Sequence, residues 1–346
     1  VRATALSLLT QYPPMPVLQN VGFDALVDPE ALVRGQAVTL AEYMFNLSVF
    51  RTGPRNAPQE AQQALQAVDA MAELLDDPVP YARTEASRAL APGAHVQFAH
   101  GSRKQTKQFK AALDEYRAGQ DALLDQPGTH LNLGILSERL GDPNQAVDAY
   151  HTALRLDPTF FLARNNLAML YDQLGQPAKA EEQMREIVRL RPNEAQWPYS
   201  LGLLIGQKAT EAEQQIEQLR RSRDPSMLAE IERLTGVRRD ALEETAKWLR
   251  RAVALDKNNA RMHYNLGQTL IRLSQFEEAE ATLKRALELS GGDPQYEHAL
   301  AFFYAQQQRW DDALRHAQAM QRALPNDPQV RQYVEQLRQQ RDAAQP

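Results

Sequence analysis

The sequence predicts an all-α protein: a right-handed superhelical solenoid of helix-turn-helix repeats closed by a C-terminal capping helix. Three observations carry this. Across residues 129–192 the chain states one pattern twice, matching Leu133 with Leu167, Gly134 with Ala168, Ala146 with Ala180 and Pro158 with Pro192, each pair 34 residues apart. A fixed period of that length, with small residues at fixed places, marks a helical repeat array. A second motif, an arginine followed by Ala and Leu at helical spacing, recurs at Arg2, Arg34 and Arg83. The composition, 43% hydrophobic and rich in Ala, Leu, Gln, Glu and Arg with few β-branched residues, favours helix throughout.

Taking the chain in order, residues 1–92 carry the arginine motif: Arg2 precedes Ala5 and Leu8, Arg34 precedes Ala37 and Leu40, and Arg83 precedes Ala86 and Leu90. Asp28-Pro29 and Asp77-Pro78 stand six residues ahead of Arg34 and Arg83. Asp caps a helix whose first turn accepts Pro, and an arginine one or two turns later reaches a neighbouring turn's acid or carbonyl. The pattern resembles HEAT repeats, and the resemblance implies an Asp–Arg ladder between stacked units. The first of these units lacks its Asp-Pro and its preceding helix, which predicts further protein upstream or a partner over that edge. Gly53-Pro54-Arg55-Asn56-Ala57-Pro58 reads as a loop, and residues 59–75 as a helix burying Ala64, Leu65, Val68, Met71, Ala72 and Leu75.

Pro92-Gly93 marks a boundary. Residues 93–126 read as a degenerate repeat, its long helix over 104–124 presenting Phe109, Ala112, Leu113 and Tyr116 on one face. Arg103, Lys104, Lys107 and Lys110 on that helix read as a solvated face.

Residues 127–327 hold five units: 127–160, 161–194, 195–259, 260–293 and 294–327. In the first, Leu133, Leu136 and Leu140 recur at three and four residues, which is one helix face. A break at Gly141-Asp142-Pro143, or Gly175-Gln176-Pro177 in the second unit, leads to a second helix that Pro158 or Pro192 stops. Gly134 and Ala168 are expected to face Ala146 and Ala180, letting the backbones approach closely. The order Leu133-Gly134, Ala146, Tyr150, Ala153, Pro158, then Leu167-Ala168, Tyr171, Ala180, Pro192, resembles the tetratricopeptide repeat (TPR). His130 and Arg164 stand where that family usually carries tryptophan.

In the third unit Trp197, Leu201 and Gly202 start a first helix on schedule, but its second helix, with Leu249, Ala252, Val253 and Leu255, comes about 31 residues late. The phase then returns with Leu266-Gly267, Ala279 and Ala286, and with Leu300-Ala301, Tyr304, Ala313 and Pro325. Residues 207–242 are therefore an insertion. It reads as a projecting hairpin: a helix over 209–221, a turn at Asp224-Pro225-Ser226, and a second helix over 227–234 ending ahead of Gly236. Arg220, Arg221, Arg223, Arg238 and Arg239 flank the bend and suit an acidic protein surface. Residues 328–346 are a capping helix, with Val330, Tyr333, Val334 and Leu337 on one side, and a fraying tail.

The TPR resemblance implies a ligand groove lined by first helices. Its contact positions fall on Asn165, Met169 and Asp172 in the second unit and Tyr199 in the third. In the fourth they fall on Arg261, Tyr264, Gln268 and Arg272, and in the fifth on His298 and Phe302. This mixture of Tyr, Arg and Asn suits an extended peptide or a protein helix. It departs from the lysine-and-asparagine clamp that some TPR proteins use for a C-terminal carboxylate.

No feature calls for catalysis or a cofactor. GxSxG, P-loop and GxGxxG motifs are absent, and the 7 histidines form neither HExxH nor a cluster with acids at metal spacing. Paired carboxylates such as Asp76-Asp77 and Asp311-Asp312 sit at helix starts or turns, where capping accounts for them. With 0 cysteines the chain has no disulfide, thiolate nucleophile, Cys-ligated zinc or covalently attached haem c. A net charge of −5 gives no electrostatic footprint for nucleic acid, and no apolar run approaches the roughly 20 residues that span a bilayer. The expectation is a non-catalytic scaffold that docks protein partners and assembles a complex. The order of HEAT-like then TPR units is also similar to the C-terminal part of exported multihaem cytochromes c. That resemblance implies the alternative, an accessory region or subunit whose haem protein or redox complex lies outside this chain, in the periplasm or otherwise exported. A cytoplasmic location is the alternative to export.

Overall fold

A computed structural model describes residues 1–10, 16–44, 59–93, 103–222 and 224–344. The loop expected at Gly53 to Pro58, the side chains of Ala64 and Leu65, and Arg223 lie outside the described residues. The described residues form helices and turns with no strand, and the chain falls into two compact units, Val1–Leu170 and Tyr171–Pro346. Each unit is an all-α repeat stack of the solenoid kind.

In the first unit α1 (Arg2–Leu9), α2 (Pro16–Leu26), α3 (Ala31–Met44), α4 (Gln59–Glu73), α5 (Pro80–Leu90) and α6 (Arg103–Asp121) precede α7 (Pro127–Arg139) and α8 (Pro143–Leu156). Helices α1, α3, α5 and α6 pack side by side, each on the next. Leu26, Leu40, Met71, Leu75, Leu90, Phe109 and Leu113 join one core that extends to Leu136.

The arginine motif builds a ladder across these helices. Arg34 grips Asp77 with two bonds, of 2.6 and 2.9 Å, while its third nitrogen donates to the Asp28 and Pro29 carbonyls at 2.7 and 2.9 Å. Arg83 repeats this on Glu115, at 2.6 and 2.7 Å, and on the Asp77 and Pro78 carbonyls at 2.9 and 3.0 Å. Arg2 meets Asp28 at 3.2 Å. Arg34 and Arg83 thus each hold their own unit's turn and the next unit's acid, while Arg2 holds the next unit's acids alone. Asp28 and Asp77 also accept from the amides of Glu30 and Val79, both at 2.9 Å. Burial pushes the Asp77 carboxyl up, but the Arg34 and Val79 bonds outweigh it and hold it below the usual carboxylate range. Glu42 adds a second tie, pairing with Arg88 at 3.0 Å and with Arg139.

Helix α9 (Phe161–Gln173) runs across the division between units. The second unit continues with α10 (Pro177–Leu190), α11 (Gln196–Ser222), α12 (Leu228–Leu255), α13 (Ala260–Arg272), α14 (Phe276–Leu289), α15 (Pro294–Gln306), α16 (Trp310–Ala323) and α17 (Pro328–Ala344). From α10 onward each helix packs on the next. Leu249, Leu266, Leu270, Leu283, Leu300, Phe303 and Leu337 share one core. Each such side chain contributes about 1.5–3 kcal/mol against roughly 0–1 kcal/mol for an exposed ion pair, so this seam decides the stacking. Helix α17 closes the stack by burying Val330, Val334 and Leu337.

The helix pairs are close, though not through the facing small residues alone. A side chain on Gly134 would lie 2.4 Å from the Tyr150 ring, so tyrosine, one turn beyond Ala146, fills the space the glycine leaves. Gly267 shows both contacts, with Leu283 at 2.7 Å and the Ala279 carbonyl at 3.6 Å from its absent Cβ. The turn within each pair is also shared. Gly141, Gly175, Ser274 and Gln308 have φ of 79°, 68°, 59° and 57°. The next amide donates to the carbonyl five residues back: Asp142 to Ser137, Gln176 to Tyr171, Gln275 to Leu270 and Arg309 to Tyr304, at 2.8–2.9 Å. Ser274 and Gln308 adopt this left-handed conformation without a glycine, at about 1–2 kcal/mol each, because the paired helices dictate the turn.

His130, Arg164 and His263, at equivalent places in three repeats, each contact the carbonyl six residues back: Leu124 at 2.8 Å, Pro158 at 2.9 Å and Lys257 at 3.0 Å. They clasp the entry to a first helix.

The insertion is a helical hairpin with its turn at 224–227, but it extends the third repeat's own helices and Gly236 does not end one, for α11 and α12 run unbroken through residues 207–222 and 228–242. The reason is a continuous seam: Ile205, Ala209, Ala212 and Ile216 on α11 meet a second helix that buries Leu234, Ala241, Leu242 and Ala246. Leu219 and Ile231 complete a small outer core with Ala212, Ile216 and Leu234.

Two substitutions test this account by urea unfolding. Arg34→Ala leaves the Asp77 carboxylate, whose side chain is 5% exposed, without its cation and is expected to cost about 3 kcal/mol. Gly236→Ala is expected to add about 0.5–1 kcal/mol, since a Cβ there meets nothing within 4 Å; a loss of stability would show that the helix needs the glycine.

Candidate functional site

The second unit presents the residues expected to line a groove on α11, α13 and α15, and the structure gathers them into two groups. In one, Asn265 donates to the Tyr199 hydroxyl at 2.6 Å, and Tyr264 meets Tyr296 edge to face with ring centroids 5.3 Å apart. Burial pushes the Tyr296 hydroxyl above its ordinary pKa, with the charge of exposed Arg261 acting against it. In the same unit His298 packs on Tyr333 of α17 at 5.3 Å and stacks on Phe302 at 6.5 Å. Phe302 remains 45% exposed.

The second group is a cleft of about 440 Å³. Leu203, Gly206, Gln207, Thr210 and Glu211 of α11 form one wall, Asn265, Gln268 and Arg272 of α13 the other, with Thr245 of α12 between. Arg272 is not a free cation on this surface. It pairs with Glu213 at 2.9 and 3.3 Å and donates to Thr210 Oγ1 at 3.3 Å, latching the groove to the inserted helix. Arg238 takes the same carboxylate at 3.3 Å.

The other sequence-predicted positions lie apart from these groups or are already paired. Asn165 donates to the Met169 sulfur at 3.6 Å in the first unit, and Met169 is 53% exposed. Asp172 is half-buried in the second unit. Within the insertion Arg221 pairs with Glu217 at 2.9 Å, and Arg239 with Asp240 at 3.5 Å. Arg220 is exposed with no ion pair among the described residues. Of the four described arginines around the bend, Arg221, Arg238 and Arg239 therefore have a carboxylate partner.

Sequence reasoning missed Thr210, Glu213, Thr245 and Asn265. The first three lie where the insertion displaces the period. Asn265 had a signal, because asparagine recurs at Asn132 and Asn166 in equivalent places.

Residues 139–199 and 238–301 match a family model of the tetratricopeptide repeat, and residues 294–319 match a second. The gap between the first two falls on the insertion. No curated protein matches the sequence. Among solved structures the chain is similar to the C-terminal part of a TPR repeat-containing protein from Cytophaga hutchinsonii, at 11% identity and TM-score 0.51 over 86% of this chain and 98% of that one. It is also similar to YrrB, a TPR protein with an unusual peptide-binding site (16% identity, TM-score 0.46, 63% of this chain and 96% of that one). A third is MamA from Desulfovibrio magneticus RS-1 (18% identity, TM-score 0.41, 62% and 97%). The family matches establish tetratricopeptide repeats in this chain, and the first structural likeness establishes the all-α repeat fold.

The helix carrying His298 and Phe302 is buttressed from behind. Glu280 accepts from Lys284 at 2.7 Å, Arg309 at 2.6 Å and Tyr304 at 2.9 Å. Burial pushes the Glu280 carboxyl up, but these three donors overcome it and hold it at about 2, below the ordinary 4.5. A carboxyl depressed on folding stabilises the fold above its unfolded pKa, and that contribution is lost as pH falls from about 4.5 toward 2. Glu280→Gln is therefore expected to cost about 1–2 kcal/mol at neutral pH, since its exposed partners Lys284 and Arg309 are screened by solvent. The difference from the parent should vanish near the folded pKa, measured by urea unfolding across a pH series.

Proposed function

We propose that the chain is a non-catalytic scaffold that docks partner proteins on the first-helix surface of its second unit and holds them in a complex. The supporting observation is the set of partly exposed aromatic side chains there, Tyr199, Tyr264, Tyr296, His298 and Phe302, accompanied by Arg261 and Asn265. Aromatic residues and arginine dominate the energetics of protein interfaces because they bury large areas at low entropic cost while keeping a polar handle. Tetratricopeptide repeats serve typically as protein-interaction scaffolds, so geometry and repeat type agree. Among the described residues no helix is long and apolar enough to cross a membrane.

The reading of residues 1–92 as HEAT-like repeats is part of this proposal, supported by the ladder in which Arg34 and Arg83 each bond their own Asp-Pro turn and the next unit's acid. That order of units also supports a second reading, an accessory region or subunit of a multihaem redox complex, exported and cysteine-free, whose haem sits on a partner.

Recovery of partners from native extract tests both. Replacing Tyr264 and Phe302 together by alanine is expected to reduce capture of a defined set of proteins roughly tenfold or more. Unchanged recovery of every partner removes the groove. Haem absorbance in the recovered material supports the second reading, and its absence there removes it.

A further inference from the structure

We infer that the cleft where the long helices α11 and α12 join the array is a subsite for an extended, uncharged peptide segment of a partner protein, with a small hydroxyl or carboxamide side chain of that segment seated against Thr245. This rests on the docking function proposed above and narrows it to one place and one chemistry.

Thr245 is 3% exposed, and its Oγ1 has no hydrogen-bond partner among the described residues. Helical threonines usually return the hydroxyl to the carbonyl four residues back. Thr210, Thr235 and Thr269 do so here, to Gly206, Ile231 and Asn265 at 3.3, 2.7 and 2.9 Å. Thr245 does not. A buried unpaired hydroxyl destabilises a fold relative to an isosteric apolar group, so the cost at this position calls for a return elsewhere. Gly206 stands opposite: a Cβ on it would lie 3.4 Å from Thr245 Oγ1, and its absence leaves the cleft floor beside the hydroxyl free of side chain.

The walls decide the ligand's chemistry. Gln207 and Gln268 offer carboxamides, which pair with the N–H and C=O of a peptide main chain alike, and Leu203, 39% exposed, supplies an apolar lip. The cation of the cleft is already spent, because Glu213 lies between Arg272 and Arg238. An incoming carboxylate would have to break that pair and would meet Glu211 on the same wall, which disfavours an acidic segment, while a cation would gain little from Glu211 because that carboxylate is solvent-exposed. The size, about 440 Å³, falls within the range of ligand sites. A free polar molecule offers the same groups. A peptide is favoured because Asn265, one wall of the cleft, also bonds Tyr199 of the aromatic surface, so a chain lying on that surface continues into the cleft.

The test pans a displayed library of random peptides, about ten residues long, on the intact protein and titrates labelled winners against variants. Winners are expected to share Ser, Thr or Asn at one position and to change affinity less than about twofold between low and physiological salt. Thr245→Val should weaken binding roughly tenfold while raising Tm by about 2 °C, since it removes the unpaired hydroxyl. Gly206→Leu should abolish binding, and Gln268→Ala, on the half-exposed wall, provides the same readout should Gly206→Leu fail to fold. The inference is overturned if Thr245→Val binds like the parent or lowers Tm, if affinity falls steeply with salt, or if no peptide is enriched. Peptides that require Tyr264 but ignore Thr245 and Gly206 would leave the docking function standing and remove the subsite. Binding of N-acetylserinamide with no enriched peptide would assign the cleft to a small molecule and also overturn the inference.

Discussion

A pair of antiparallel helices is too thin to bury the apolar stripe it carries, so a pair within a stack depends on the next for its core. Leu266 and Leu283 belong to one pair and Leu300 and Phe303 to the following one, yet all four lie in a single cluster that ends only at Leu337 of the last helix. The obligation to share a seam explains the other regularities. It requires close backbones, hence Gly134 under the Tyr150 ring, and tight turns of one kind, hence the left-handed residue at four equivalent places. It also leaves first helices side by side, with exposed side chains such as Tyr264 and Phe302 whose burial the fold does not need.

The two units solve the joining problem with different chemistry. In the first unit, charge links the layers: Arg34 and Arg83 each satisfy backbone carbonyls of one layer and a carboxylate of the next. Those pairs are partly shielded, where a broken pair costs more than an intact one contributes. In the second unit apolar contact dominates, and ion pairs such as Arg250 with Glu278 lie at the rim, exposed on both sides. A common device spans both, for Arg34, Arg83, His130, Arg164 and His263 all reach the carbonyl six residues back.

Much of the fold was legible because its cause is periodic. Recurrence at 34 residues located helices from Pro127 onward, and the Asp-Pro and Arg spacing identified the ladder's rungs, since both are local patterns imposed by geometry. What escaped was contextual. Gly236 looks like a helix stop, yet Leu234, Ala241 and Leu242 on the same helix bury enough to carry it through. Ser274 and Gln308 carry no local mark of a left-handed turn. The candidate site was legible as a surface and illegible as a mechanism. Tyr264, Gln268 and Arg272 were found by their repeat positions, but the pairing of Arg272 with Glu213 spans 59 residues across the insertion. Thr245's missing bond has no sequence signal at all.

The long helices of the third repeat have a mechanical consequence. Because α11 and α12 pass without a break from the array into the insertion, the outer part is a stiff arm of roughly 25 Å, about sixteen residues at 1.5 Å each, anchored where Thr210 and Glu213 face Arg272. The base of the arm and one wall of the cleft are the same stretch of helix, so the direction of the arm and the width of the cleft are set by one group of contacts.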